Sequence, residues 1–276
     1  MNDMIMRPSI PTILIAGLVL FFLLLPNLVI VPLSFSPSEY FQFPPSEWTL
    51  KWYQRFFDDP RWLDAFIRSI RIGCFVAAAS TFLGVCAAFT LTRGALPRWQ
   101  LFHGLIIAPV VVPHVVLAAS LFVLFVTIGL LQTELGLVLA HTLVATPIVV
   151  LTVMVSLRTV RRDLELAAMS LGAGYVRTLF HVTLPQVMPG ILTGALLAFV
   201  TSFDETTLSI FLGGVQSTTL PMKMWDGITV ESNPVLPAAS TIVLIFSTLP
   251  MVAIEVWRRV RDRTGKTGRN EPTVSR

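Results

Sequence analysis

The sequence predicts an all-α integral membrane protein with six transmembrane helices and both termini on the inner side. Three observations lead there. Charged residues make up 13% of the 276 residues and hydrophobic ones 54%, whereas a soluble domain carries about a quarter charged. Six apolar runs approach the ~20 residues that cross a bilayer. Lysine and arginine are shared unequally between alternate connections, and that asymmetry sets orientation.

The first run, Ile13–Val31, lies in an apolar stretch from Ile10 to Pro32 behind Arg7. It exceeds the ~7–15 apolar residues of a signal peptide and lacks an A-x-A cleavage site, so it reads as an uncleaved first span. An outer segment follows, and residues 1–65 form the first division of the chain. Pro37, Pro44 and Pro45 exclude a long helix early in that segment. Trp48, Trp52, Tyr53 and Trp62 suit an aromatic belt at the outer interface.

The second span, Ile72–Leu91, holds both cysteines, Cys74 and Cys86, which one helix keeps too far apart to bridge. The third, Leu105–Thr127, carries His114 just after Pro109 and Pro113, and the fourth is Leu135–Met154. A polar inner stretch comes next and reads as helix from Asp163 towards Pro185. The fifth span, Ile191–Leu212, contains Asp204 and Glu205, and the sixth is Ala238–Trp257. The last five spans lie within residues 66–257, which the family resemblance given below covers as one domain. The basic, polar tail 258–276 is expected to be disordered.

With the N-terminus inside, inner segments hold fourteen lysines and arginines and outer segments six. The isoelectric point is near 9.5 and the mean hydropathy +0.75. The basic residues bunch between apolar runs rather than along one face, so they read as topology determinants and not as a nucleic-acid surface.

Enzyme signatures G-x-S-x-G, H-E-x-x-H and C-x-x-C are absent, and no catalytic residue, cofactor or metal is expected. Gly265-Lys266-Thr267 resembles the end of a phosphate-binding loop, but Val260 stands where its first glycine belongs. His103, His114, His141 and His181 are scattered, and their spacing gives no support to a metal site.

Polar groups inside spans face the protein interior or a pathway. Asp204 and Glu205, beside Ser202, Thr206 and Thr207, are the sharpest such signal, with His114 next. A mid-membrane carboxylate costs at least ~2.5 kcal/mol, so two would not face lipid. Two readings stand: a cation-attracting or gating site in a polar cleft, or a carboxylate bonded to a broken helix. Pro109, Pro113, Pro147, Pro189 and Pro250 favour kinks.

On the inner stretch, Ala167, Ala168, Gly172, Ala173 and Gly174 leave little side chain in the way of an approaching protein, and Leu164 and Leu171 would anchor it. An ordinary amphipathic interfacial helix is the alternative, and periodicity does not separate them. Ala167 and Ala168, Gly172 after three intervening residues, and Val182, Leu184 and Pro185 after a nine-residue gap resemble the E-A-A, x3, Gly, x9, I-x-L-P signature of ABC-importer permeases. Leu166 departs from it, with Glu165 one residue before the glutamate position.

That resemblance implies a type I importer permease fold, with a cytoplasmic coupling helix at about 160–185. It implies two copies of a separate ABC ATPase that binds the ATP, and a homologous second permease in a heterodimer rather than a homodimer. It also implies an external substrate-binding protein and a place in the bacterial cytoplasmic membrane. The stretch "SFDETTLSIFL" followed by "TTLPMKMWDGI" is similar to the spermidine/putrescine permease subfamily. His114, where those permeases often carry an acid, leaves an opine, aminophosphonate or other small solute as the alternative. An ion-coupled secondary transporter working through Asp204 and Glu205 is the rival class. The chain lacks the repeated halves common there.

Overall fold

Backbone amides in hydrocarbon find no water, so an apolar chain crosses a bilayer as helix. Every regular element among the described residues is helical. The computed structural model describes residues 9–40, 42–94, 97–231 and 233–267. The helices are α1 (Ile10–Leu33), α2 (Lys51–Asp58), α3 (Pro60–Arg93), α4 (Trp99–Val111), α5 (His114–Ile128) and α6 (Glu134–Thr159). After them come α7 (Arg162–Ser170), α8 (Tyr175–Thr178), α9 (Leu184–Phe203), α10 (Thr207–Leu212), α11 (Leu220–Asp226) and α12 (Leu236–Thr267). Among the described residues five stretches are long and apolar enough to span, and six if α4 and α5 count as one.

The chain divides into two units. Met1–Leu63 with Asp226–Leu244 form one, and Asp64–Trp225 with Ile245–Arg276 the other. The expected boundary near residue 65 falls close to the first break, but Asp226–Leu244 groups with the N-terminal unit. In that unit the proline-rich stretch folds back over α2. The Trp52 indole N–H donates to the Ser36 carbonyl at 2.8 Å, and the hydroxyls of Tyr53 and Ser34 lie 2.7 Å apart. Trp52 and Trp62 are each 1% exposed, while Trp48 is 71% exposed. Trp52 and Trp62 are therefore packed inside the protein instead of lying on an interfacial belt: the Trp52 ring is better buried because its N–H finds a partner, and the Trp62 ring lies 5.9 Å from that of Phe56.

In the second unit α6 is the most buried of the long helices. Val149, Val150, Val153 and Leu157 pack with Val76, Val187 and Ala198. Gly190 lets α9 approach α6 closely: a Cβ there would fall 1.9 Å from the Ser156 hydroxyl oxygen. Small residues at such crossings hold spans together where lipid supplies no hydrophobic drive. At the outer end, Glu134 on α6 pairs with Arg68 at 3.0 Å and with Arg71. The Ser69 hydroxyl accepts the Leu220 amide at 2.8 Å.

Three expectations are corrected. The third span is not one helix, since α4 and α5 meet at 100°. Pro109 inside α4 and Pro113 at the N-cap of α5 both lack the amide N–H of a continuing helix at that bend. The fifth span stops at Phe203, before the carboxylates. Finally, α12 runs on to Thr267, so the first half of the expected disordered tail is helical. Residues 268–276 lie outside the described residues, as do Arg7, Arg269 and Arg276 of the inner charge count.

Candidate functional site

Two breaks meet in the second unit. His114 opens α5 with Pro113 as its N-cap. Asp204 caps the C-terminus of α9, and Thr206 precedes α10. Between them Glu205, 7% exposed, is divided between two partners. Its Oε1 accepts the Leu208 amide at 3.0 Å, satisfying an orphan donor of the first turn of α10. Its Oε2 lies 3.1 Å from His114 Nδ1. Glu205 thereby ties one broken span to the other.

Asp204 is different. It is exposed, and its carboxylate makes no hydrogen bond or ion pair among the described residues. It stands at the negative end of α9, where the helix macrodipole disfavours an anion and favours a cation. The structure thus divides the two acids that the sequence left as a pair. Glu205 is bonded to a broken helix, as one reading of the motif had it, and Asp204 stays exposed.

Ser202 extends the network. His141 of α6 is 1% exposed; its Nδ1 lies 2.9 Å from the Ser202 hydroxyl and its Nε2 3.4 Å from that of Ser209. The Ser209 hydroxyl donates to the Glu205 carbonyl at 2.7 Å. Sequence reasoning missed His141, although the rule applied to His114, that a polar group within a span faces protein, covers it equally.

On the inner side the expected single helix divides. α7 ends at Ser170 and Gly172 adopts φ 88°. The Gly172 amide bonds to the Met169 carbonyl at 3.0 Å and the Ala173 amide to the Ala168 carbonyl at 3.1 Å. That is a Schellman cap, and its left-handed position suits glycine. A Cβ on Gly172 would meet nothing within 4 Å, so backbone conformation and not space selects this residue.

Leu184 and Pro185 belong to α9, and α8 runs into it through a π-turn at Leu179–Thr183. The Leu184 amide bonds to the Leu179 carbonyl. This widened turn accommodates Pro185, whose ring would strike the His181 carbonyl in a regular helix. The bend expected at Pro185 and Pro189 is therefore absorbed as a bulge in a continuing helix.

Leu164 and Leu171 are 45% and 90% exposed, and Ala167 is exposed beside them while Ala168 and Ala173 are half-buried. Glu165 turns inward. Its Oε1 accepts from Arg93 Nη2 at 3.0 Å and from the Thr183 hydroxyl at 2.9 Å, joining α7 to α3 and to the π-turn. Leu166, at the signature's glutamate position, is 60% exposed. In front of α7, Arg161 bonds Asp163 at 2.6 Å and holds that carboxyl below its usual range. This pair is open to water and adds little stability.

Residues 80–263 match the family model described as binding-protein-dependent transport system inner membrane component. The chain is 34% identical over 230 residues to the putrescine transport system permease protein PotI of Escherichia coli K12, covering 81% of this chain and 82% of that one. It is 29% identical over 248 residues to the spermidine/putrescine transport system permease protein PotC of the same strain, covering 90% and 93%. It is 31% identical over 228 residues to the sulfoquinovosyl glycerol transport system permease protein SmoH of Agrobacterium fabrum, covering 82% and 78%. Among solved structures, a bacterial ABC transporter involved in import of the acidic polysaccharide alginate aligns at TM-score 0.67, with 16% identity over 92% of this chain and 95% of the other. The MetNI methionine ABC transporter aligns at 0.58, with 16% identity over 72% and 96%.

Proposed function

The chain belongs to the family of binding-protein-dependent transport system inner membrane components, and from that premise we propose that it lines the path of an ATP-driven importer for a polyamine. It works in the bacterial cytoplasmic membrane with both termini inside, paired with a homologous permease. Two ABC ATPases bind and hydrolyse the ATP, and an external binding protein delivers the solute. This chain carries no catalytic residue or cofactor of its own.

The observation that carries the substrate class is Asp204, an exposed carboxylate at the end of a broken span with no partner among the described residues. The field there favours a cation, and the putrescine and spermidine/putrescine permeases among its relatives support a di- or polyamine. Glu205 and His114 hold the break in shape, with Ser202 and His141 behind them.

Inside, α7 and the turn at Gly172 form the coupling element. Leu164 and Leu171 are the exposed anchors, and the Glu165 bonds carry motion to α3 and α9. Rigid-body displacement passes through such a braced helix better than through a loop.

Uptake of radiolabelled putrescine tests the reading. Asp204→Asn removes a charge-assisted contact worth about 1.5–3 kcal/mol. It should raise the KM for uptake about tenfold or more while leaving thermal stability unchanged. Glu205→Gln should instead lower stability. Normal uptake by Asp204→Asn would remove the residue from the path.

A further inference from the structure

An open cleft of about 500 Å³ lies between the inner halves of α6 and α9. A water molecule takes ~30 Å³, so there is room for a ligand group. Thr152, Ser156 and Thr159 line it from α6, and Gln186, Gly190 and Thr193 from α9. Both sets repeat at the four- and three-residue steps that keep side chains on one helix face. Each stripe therefore runs about 10 Å along its helix, from the inner end towards mid-span.

The protons of this cleft are already spent on its own helices. Thr152 and Thr193 donate to the carbonyls of Ile148 and Pro189, each at 2.7 Å, and Thr159 to that of Ser156 at 2.8 Å. A hydroxyl has one proton and two lone pairs, so these three oxygens keep acceptor capacity only. Gln186 gives an amide N–H to the Val182 carbonyl at 2.7 Å, and its side-chain oxygen has no partner among the described residues. The half-buried Ser156 hydroxyl also makes no hydrogen bond there. Oxygens in excess over protons suit a ligand built of N–H donors, and an ammonium has three donors and no acceptor. No carboxylate lines the cleft, so the hold is looser than an ion pair, as a place the solute must leave requires. Asp204 stands eleven positions beyond Thr193 on α9. At about 100° and 1.5 Å per residue it lies only about 20° round the helix and about 16 Å further along it. The exposed acid and the oxygen stripe thus share one face.

We infer that this cleft is the inner station of the path, where an ammonium group of the solute passes from Asp204 to neutral oxygens before its release. Thr152, Ser156 and Thr193 accept its protons within the span, and Thr159 and Gln186 do so at the mouth. The inference rests on the cationic solute proposed for Asp204 and adds the route beyond that residue.

The test is thiol labelling of the assembled importer, with Cys74→Ala and Cys86→Ala removing the exposed native thiols. Thr152→Cys and Thr193→Cys are each treated with two methanethiosulfonates of like size, one carrying an ethylammonium group and one an ethylsulfonate. Each rate is taken relative to that of a free thiol in solution. The ammonium reagent should react about tenfold faster, and saturating putrescine should slow it about tenfold, the size of one hydrogen bond to a charged group. The two positions lie on different helices, so one stays informative should the other variant fail to assemble. Equal rates with the two reagents, no reaction with either, or no slowing by putrescine overturns the inference. A preference for the ammonium reagent that persists in Asp204→Asn upholds the cleft whatever that variant's uptake shows, so the two readings fail separately.

Discussion

Removing the Glu165 carboxylate tests whether α7 is braced to the spans or hangs from them. Glu165 binds Arg93 at 3.0 Å and Thr183 at 2.9 Å, and the side chains of the ion pair are 15% and 17% exposed. Breaking a buried pair by deleting one partner costs about 3–5 kcal/mol. Residual water contact puts Glu165→Ala at about 2–3 kcal/mol, below that range. At tenfold per ~1.4 kcal/mol, the detached population of α7 rises roughly 30- to 150-fold. Glu165→Gln keeps an acceptor for both donors and loses only the charge, so its effect should be roughly half as large. Hydrogen–deuterium exchange read over residues 162–173 is the assay, with solute-stimulated ATP hydrolysis by the assembled importer as the functional counterpart. Unchanged exchange in Glu165→Ala refutes the brace. So does a Glu165→Ala, Leu166→Glu double variant that exchanges like the wild type. Residue 166 lies about 100° further round the helix, and a carboxylate there should not reach Arg93.

Two further outcomes test local geometry. Gly172→Ala must hold φ 88° with a Cβ, at a cost of about 1–2 kcal/mol. Because that Cβ meets no atom within 4 Å, the change should appear as faster exchange in residues 168–173 without loss of global stability. Gly172→Val should be worse, and a thermal shift equal to that of a core variant would contradict the cap. At Gly190 the opposite holds: Gly190→Ala drives a methyl to 1.9 Å from the Ser156 oxygen. It should destabilise by about 1–3 kcal/mol or more in thermal unfolding, with partial rescue by Ser156→Gly.

The sequence by itself determined the helical spans and the signature. Apolar run length is a local property fixed by bilayer thickness, so α1, α3, α6 and α12 lie where four of the six runs were read. Ala167, Ala168, Gly172 and Pro185 keep their spacing in any fold, which left the family legible. Gly172 was legible as a small residue, whereas its left-handed φ depends on the end of α7.

Only the tertiary structure decided the site. Asp204 and Glu205 are neighbours in the chain, and no periodicity says which would find a partner. Their surroundings separate because α5 brings His114 to 3.1 Å of one and leaves the other exposed. Glu165 likewise faces Arg93 across seventy-two positions, a distance along the chain that no local pattern spans. Hydrophobic run length depends on the surrounding medium and is written residue by residue. A hydrogen bond or ion pair acts over about 3 Å and exists only once packing has brought its two ends together.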